Sequence, residues 1–319
     1  ADFATALYCT GVFLVDHEEY EESLPCFLAA QNVRREIFGW DHPSVGDALH
    51  MEGIVCATTG DHDRATLLLY DALRIRKIED DSLKVSATLR AMGDLHVAKR
   101  EYLHAELFYD ECLRDQKSHR GYNDKSLPDI MVDLARVKIK LGEHGEAMKY
   151  FDEALDVRTM TLGPEHPLTA SLHYEIGQLA FQVGDCDHGE RSLDTFIQLR
   201  KQRGQENDFL VGNAFFTLGT LYAAKKQKDS AKFYWAEALQ IYEAIGLPDD
   251  HPCFVALQKK IKKAAEQGDD KRRNIFGRRK DSNRSEMGSS SLHGGSVGSV
   301  GGSSHGTKKK QSLSGGSLH

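Results

Sequence analysis

The chain has 319 residues, 40% of them hydrophobic and 28% charged, a balance that suits a soluble globular or solenoid protein. No apolar run reaches the length of a membrane-spanning helix. The six cysteines (Cys9, Cys26, Cys56, Cys112, Cys186, Cys253) are scattered without a Cys-x-x-Cys pair, which excludes a disulfide scaffold and predicts reduced thiols in a cytosolic or nuclear protein.

Charge is uneven along the chain. The formal total is −7, but ten basic and four acidic residues from Gly268 onward put +6 on the tail and leave −13 on the rest. An acidic body disfavours nucleic acid as a partner.

The first element begins at Ala1, already inside a helical pattern, with neither an initiator Met nor a signal peptide, so further sequence upstream is expected. A small residue within an apolar helical run then recurs at Gly11, Gly53, Gly93, Ala135, Gly177 and Gly219, in steps of 42, 40, 42, 42 and 42 residues. A period this long and regular predicts stacked copies of one unit.

The second unit shows the plan. His42-Pro43 opens it, with proline in the first helical turn, where a missing N–H costs nothing. The run Val45 to Thr58 carries Leu49, Gly53 and Cys56 at about one-turn spacing, and Thr59-Gly60-Asp61 stops it. A second helix follows from about His62 to Lys77, with Ala65, Leu68, Leu69, Ala72, Leu73 and Ile75 along one face.

Later units repeat its positions: Ala65, Ala105, Ala147 and Ala231, then Leu69, Tyr109, Phe151 and Trp235. Small residues let two helices approach closely, and the large residue between them is expected to fill the space against the next hairpin. Strand signals are absent. The last hairpin ends near Ile245-Gly246. Residues 251–267 predict one more helix, with Phe254, Leu257 and Ile261 on one side and Lys259, Lys260, Lys262 and Lys263 on the other, a cap for the end of the stack. The expected organisation is therefore a solenoid over 1–250, a capping helix over 251–267, and a disordered basic Gly/Ser-rich tail over 268–319.

These residues resemble the tetratricopeptide repeat, in its 42-residue, kinesin light chain-like form. The best-matching stretch is Leu162-Gly163-Pro164-Glu165-His166-Pro167, leading into Leu172-His173-Tyr174-Glu175-Ile176-Gly177; His42-Pro43 and His251-Pro252 repeat the linker signal. The resemblance covers roughly residues 1–267. It implies an all-α, right-handed superhelical solenoid of about six helix-turn-helix repeats, acting as a non-catalytic scaffold or adaptor that holds a partner peptide in its concave groove. The alternative is a regulatory repeat region of an enzyme whose catalytic domain lies upstream of Ala1. Kinesin light chains carry paired asparagines where this chain has Tyr174-Glu175 and His50-Met51, and no heptad coiled coil is present, so a kinesin-type complex is only weakly indicated. The groove Lys and Asn that capture chaperone C-termini are also replaced.

In such a stack the first helices line the groove. The positions flanking each small residue are Tyr8 and Val12, His50 and Ile54, Arg90 and Asp94, Val132 and Arg136, Tyr174 and Gln178, and Phe216 and Thr220. Tyr174, Phe181 and Phe216 predict an aromatic patch, and Arg90 and Arg136 positive charge, a mixture suited to a peptide with a bulky anchor beside an acidic residue.

No catalytic residue, cofactor, metal, membrane span or small-molecule substrate is expected. Asp61-His62-Asp63 and Asp185-Cys186-Asp187-His188 read as structural turns, and His173 beside Tyr174 and Glu175 as a solvated groove residue. Ser282 and Ser285 follow basic residues and are candidate phosphorylation sites. The basic tail is predicted to fold back on the acidic body, and it offers a route to the nucleus for an otherwise cytoplasmic protein.

Overall fold

The computed structural model describes residues 2–264 apart from Asn123. Twelve helices run in chain order: α1 (Asp2–Asp16), α2 (Tyr20–Phe38), α3 (Pro43–Thr58), α4 (His62–Glu79), α5 (Ser82–Ala98), α6 (Tyr102–Arg120), α7 (Leu127–Leu141), α8 (His144–Leu162), α9 (Pro167–Val183), α10 (Cys186–Gln202), α11 (Phe209–Ala224) and α12 (Lys228–Ala244). A further helical stretch, α13, occupies 252–264, and there is no strand among the described residues. The tail expected to be disordered, including Ser282 and Ser285, lies outside the described residues.

The helices form six antiparallel pairs, each packed on the next, which is the solenoid predicted from the 42-residue period. The pairing has a simple steric cause. Each small position of a first helix faces a large residue 16 places later in the second: a Cβ on Gly53 would lie 2.8 Å from Leu69, and one on Gly93 would run into the ring of Tyr109. At Ala135 the partner is Phe151, buried in the same way. Glycine is required at Gly93 because the tyrosine ring occupies the volume a side chain would need.

The turn inside each pair is equally regular. Glu18, Gly60, Arg100, Gly142, Gly184 and Lys226 hold equivalent places, all with φ between 60° and 89°. The second helix then starts from an acidic residue in most units. The Asp61 carboxylate accepts from the Arg64 N–H at 3.3 Å, and that of Asp185 from the His188 N–H at 3.1 Å, so both turns act as helix caps.

Successive units are joined by a polar clasp at the far end of the second helix. Arg34 donates to the Ser44 carbonyl at 2.6 Å. Arg76 reaches the Lys84 carbonyl at 3.1 Å and Asp47 at 3.0 Å. Arg158 reaches the Leu168 carbonyl at 3.0 Å and Asp129 at 2.7 Å. Unit three departs from this pattern, with Gln116 in place of the arginine and Ala87 in place of the aspartate. At the C-terminal end Phe254 and Leu257 of α13 are buried against the last units, with Lys259, Lys260, Lys262 and Lys263 exposed.

Candidate functional site

The first helices of successive units lie side by side, α1 against α3, α3 against α5 and α9 against α11, and their shared face is the candidate groove. One register relation organises its polar part. The residue just after a small position reaches the residue two places before the next one. Thus Arg136 makes a bidentate contact with Glu175, at 2.6 and 3.0 Å, and Gln178 donates to Thr217 at 2.9 Å. Arg90 extends the ladder by pairing with Asp133 at 2.7 Å, and Asp133 lies 3.6 Å from Arg136. The hydrogen bond to Glu175 holds the Arg136 guanidinium above its ordinary pKa. Burial raises the Asp133 carboxyl, against the opposing pull of Arg90. In the first units the same places hold Val12, Met51, Ile54 and Ala91, so the polar ladder gives way to apolar surface.

A concavity of about 640 Å³ lies between α3, α5 and α7. Its apolar lining is Ile54, Ala57, Leu83, Ala87, Ala91, Leu95, Ala98 and Ile130; Ser86, Arg90, Asp94, Gln116, Ser126 and Asp129 stand among them. Ala87 and Gln116 are the two residues that replace the clasp of unit three. The hollow therefore opens where the neighbouring units are filled by an aspartate–arginine pair. Gln116 is held in place by the Ser126 hydroxyl, which donates to its Oε1 at 2.9 Å. Below the hollow, Tyr109 donates to Asp94, and burial pushes the Cys112 thiol up to about 12, so that sulfur is no nucleophile at neutral pH.

The other predicted groove residues fall in distinct environments. Tyr8 is half-buried, edge-on to Phe27 and under the Arg34 guanidinium at 4.6 Å. His50 is 8% exposed, and burial aided by Arg76 lowers its pKa to about 3, so it is a neutral supporting residue. Val132 is buried. Tyr174 leans on Phe196 with ring centroids 5.2 Å apart. Phe181 and Phe216 also pack on the C-terminal core, and no ring contact joins the three to one another among the described residues. His173 differs from its solvated reading: burial lowers its pKa, and its Nδ1 is enclosed without a partner. The structure brings Arg90 and Arg136 together through Asp133.

Sequence reasoning missed Ala87 and Gln116. The signal was present: Arg34, Arg76, Gln116, Arg158, Arg200 and Tyr242 repeat with the same steps as the small residues, and inside the stack only Gln116 departs from arginine.

Residues 2–78 and 126–193 match the tetratricopeptide repeat family model. Kinesin light chain-related protein 1 of Arabidopsis thaliana is 22% identical over 247 residues, 76% of this chain. The match spans only 40% of that relative's length. Among solved structures, BtubC of P. vanneervenii superposes with a TM-score of 0.62 at 19% identity, over 73% of this chain and 94% of its own. A signal transduction ATPase of Pyrococcus horikoshii, which has a tetratricopeptide repeat sensor, gives a TM-score of 0.66 at 12% identity, over 84% of this chain and 39% of its own. Among the described residues no helix is long and apolar enough to cross a membrane.

Proposed function

We infer, because this chain is a tetratricopeptide repeat protein of the kinesin light chain-like type, that it is a non-catalytic interaction scaffold whose groove holds a peptide segment of a protein partner. One observation carries this reading: the hollow of unit three opens between the first helices α3, α5 and α7 and is lined by apolar residues interspersed with polar ones. An apolar side chain of the partner fills it, and the burial of that anchor supplies most of the affinity. The ladder from Arg90 to Gln178 already satisfies its own charges, so it orients the peptide through the exposed edges of Arg90 and Arg136. Tyr174, Phe181 and Phe216 form the wall at the far end, Tyr8 the near end, and His50 supports the wall from beneath.

The test uses peptides selected from a displayed library on the full chain. Ala91→Trp fills the hollow and is expected to weaken the selected peptides at least about tenfold. Leu67→Trp, on an exposed site outside the hollow, leaves them unchanged. Equal affinity for the wild type and a folded Ala91→Trp variant overturns the reading.

A further inference from the structure

The turn between α5 and α6 gathers three metal-capable side chains that the groove does not use. His96 lies in the last turn of α5, Glu101 is the residue before α6, and His104 is in the first turn of α6. The left-handed Arg100, with φ 60°, reverses the chain tightly enough to bring them together. His96 Nδ1 is 2.7 Å from Glu101 Oε2, and His104 Nδ1 is 3.9 Å from the same oxygen. One ligand atom of each side chain lies within 4.8 Å of those of the other two. Lys99 faces the other carboxylate oxygen at 3.7 Å, which leaves Oε2 to the imidazoles.

We propose that His96, Glu101 and His104 form a binding site for a divalent transition metal of the zinc class. Zinc bonds of about 2.0–2.2 Å to nitrogen and oxygen require ligand atoms roughly 3.4 Å apart. The observed separations of 2.7 and 3.9 Å bracket that value, so small rotations of two exposed side chains close the site. Two imidazoles and one carboxylate suit zinc, nickel or copper and not calcium or magnesium, which prefer oxygen. The Glu101 and His104 side chains are 39% and 64% exposed, so water can complete the tetrahedron.

His96 is fixed by stacking on Phe108, with centroids 5.1 Å apart and an interplanar angle of 17°. Its Nε2 is enclosed without a partner. Nδ1 is therefore its coordinating nitrogen, and the missing outer hydrogen bond makes the site a modest binder. The equivalent positions elsewhere hold Cys56, Asp61 and Arg64, or Lys138, Glu143 and Glu146, or Ala180, Asp185 and His188. A structural cap needs only the acidic residue; unit three alone places two imidazoles around it. Metal binding would staple the end of α5 to the start of α6, on the same helix whose Leu95 and Ala98 line the hollow.

The experiment titrates Zn²⁺ into the full chain, purified without a histidine tag and stripped with chelator, by calorimetry and thermal melting. The wild type is expected to take up one ion more than His104→Ala, and to melt at a higher temperature with Zn²⁺ present. Loss of an outer-shell partner alone typically costs about 10–100-fold in affinity, so His104→Ala and Glu101→Gln each weaken the site by at least about tenfold. His104 is exposed, so its truncation leaves the fold intact, and His119→Ala controls for surface imidazoles. Absence of saturable binding, or binding unchanged in His104→Ala, overturns the proposal.

Discussion

Units three and four share one backbone plan and differ in what occupies the same places. Unit four is closed by charge. Arg158 bridges Asp129 and the Leu168 carbonyl, and Lys138 bonds both Glu106 and Glu143 at 2.6 Å. Burial alone would lower the Lys138 ammonium, but those two bonds hold its pKa above that of ordinary lysine. Unit three has Ala87 and Gln116 at the clasp, and His96, Glu101 and His104 at the turn. A hollow and a metal-capable cluster therefore stand where unit four has ion pairs. The period fixes the fold; departures from the period mark where a ligand is to be sought.

The largest effect that separates the two units is expected at the core. Tyr109→Ala removes a fully buried ring and should cost about 3–5 kcal/mol in denaturant unfolding. Tyr109→Phe restores the residue type of unit four and loses only the bond to Asp94, about 1–2 kcal/mol. A Tyr109→Ala variant as stable as wild type would break the view that the small–large pair holds each hairpin.

The next effect is acid sensitivity, and it sets unit two apart from both. His50 stands where unit three has Arg90 and unit four Val132. Its folded pKa of about 3 lies below the unfolded value of 6.5. The stability it contributes is present above pH 6.5 and falls as pH drops towards 3, because the unfolded chain takes up the proton first. Between pH 7 and 5 the loss is about 2 kcal/mol. His50→Leu should flatten that part of the stability–pH curve; an unchanged slope would show that His50 is not held neutral.

The smallest effect sharpens the comparison at the clasp itself. Arg158→Met should destabilise by about 1–3 kcal/mol, because it removes a buried guanidinium and with it the hydrogen bonds to Asp129 and the Leu168 carbonyl. Gln116→Met should cost less than about 1 kcal/mol, since the Ser126 hydroxyl keeps the Asp124 carboxylate as an acceptor. Equal costs would remove the distinction between a closed and an open unit.

The repeat itself was legible because sterics at one position recur. A small residue and a large residue 16 places apart define each hairpin; the recurrence of both was legible, but the large residue was expected against the next hairpin, whereas Tyr109 packs on Gly93 of its own hairpin. The hollow was not legible from that alignment, which stopped in the middle of the second helices, whereas the clasp sits at their ends, at Arg76, Gln116 and Arg158. The aromatic positions were placed on the correct helices, but how far Tyr174 leans on Phe196 depends on how successive units rotate against one another. The metal-capable cluster escaped because contiguous runs such as Asp61-His62-Asp63 draw attention, while His96, Glu101 and His104 meet only once the chain turns at Arg100.

The most direct measurement closes unit three in the manner of unit four. Ala87→Asp combined with Gln116→Arg rebuilds the missing clasp and fills the hollow. Peptides selected on the wild-type chain should then lose at least about tenfold in affinity, while the melting temperature stays level or rises. Undiminished affinity in the folded double variant would contradict the claim that the open clasp of unit three is the binding site.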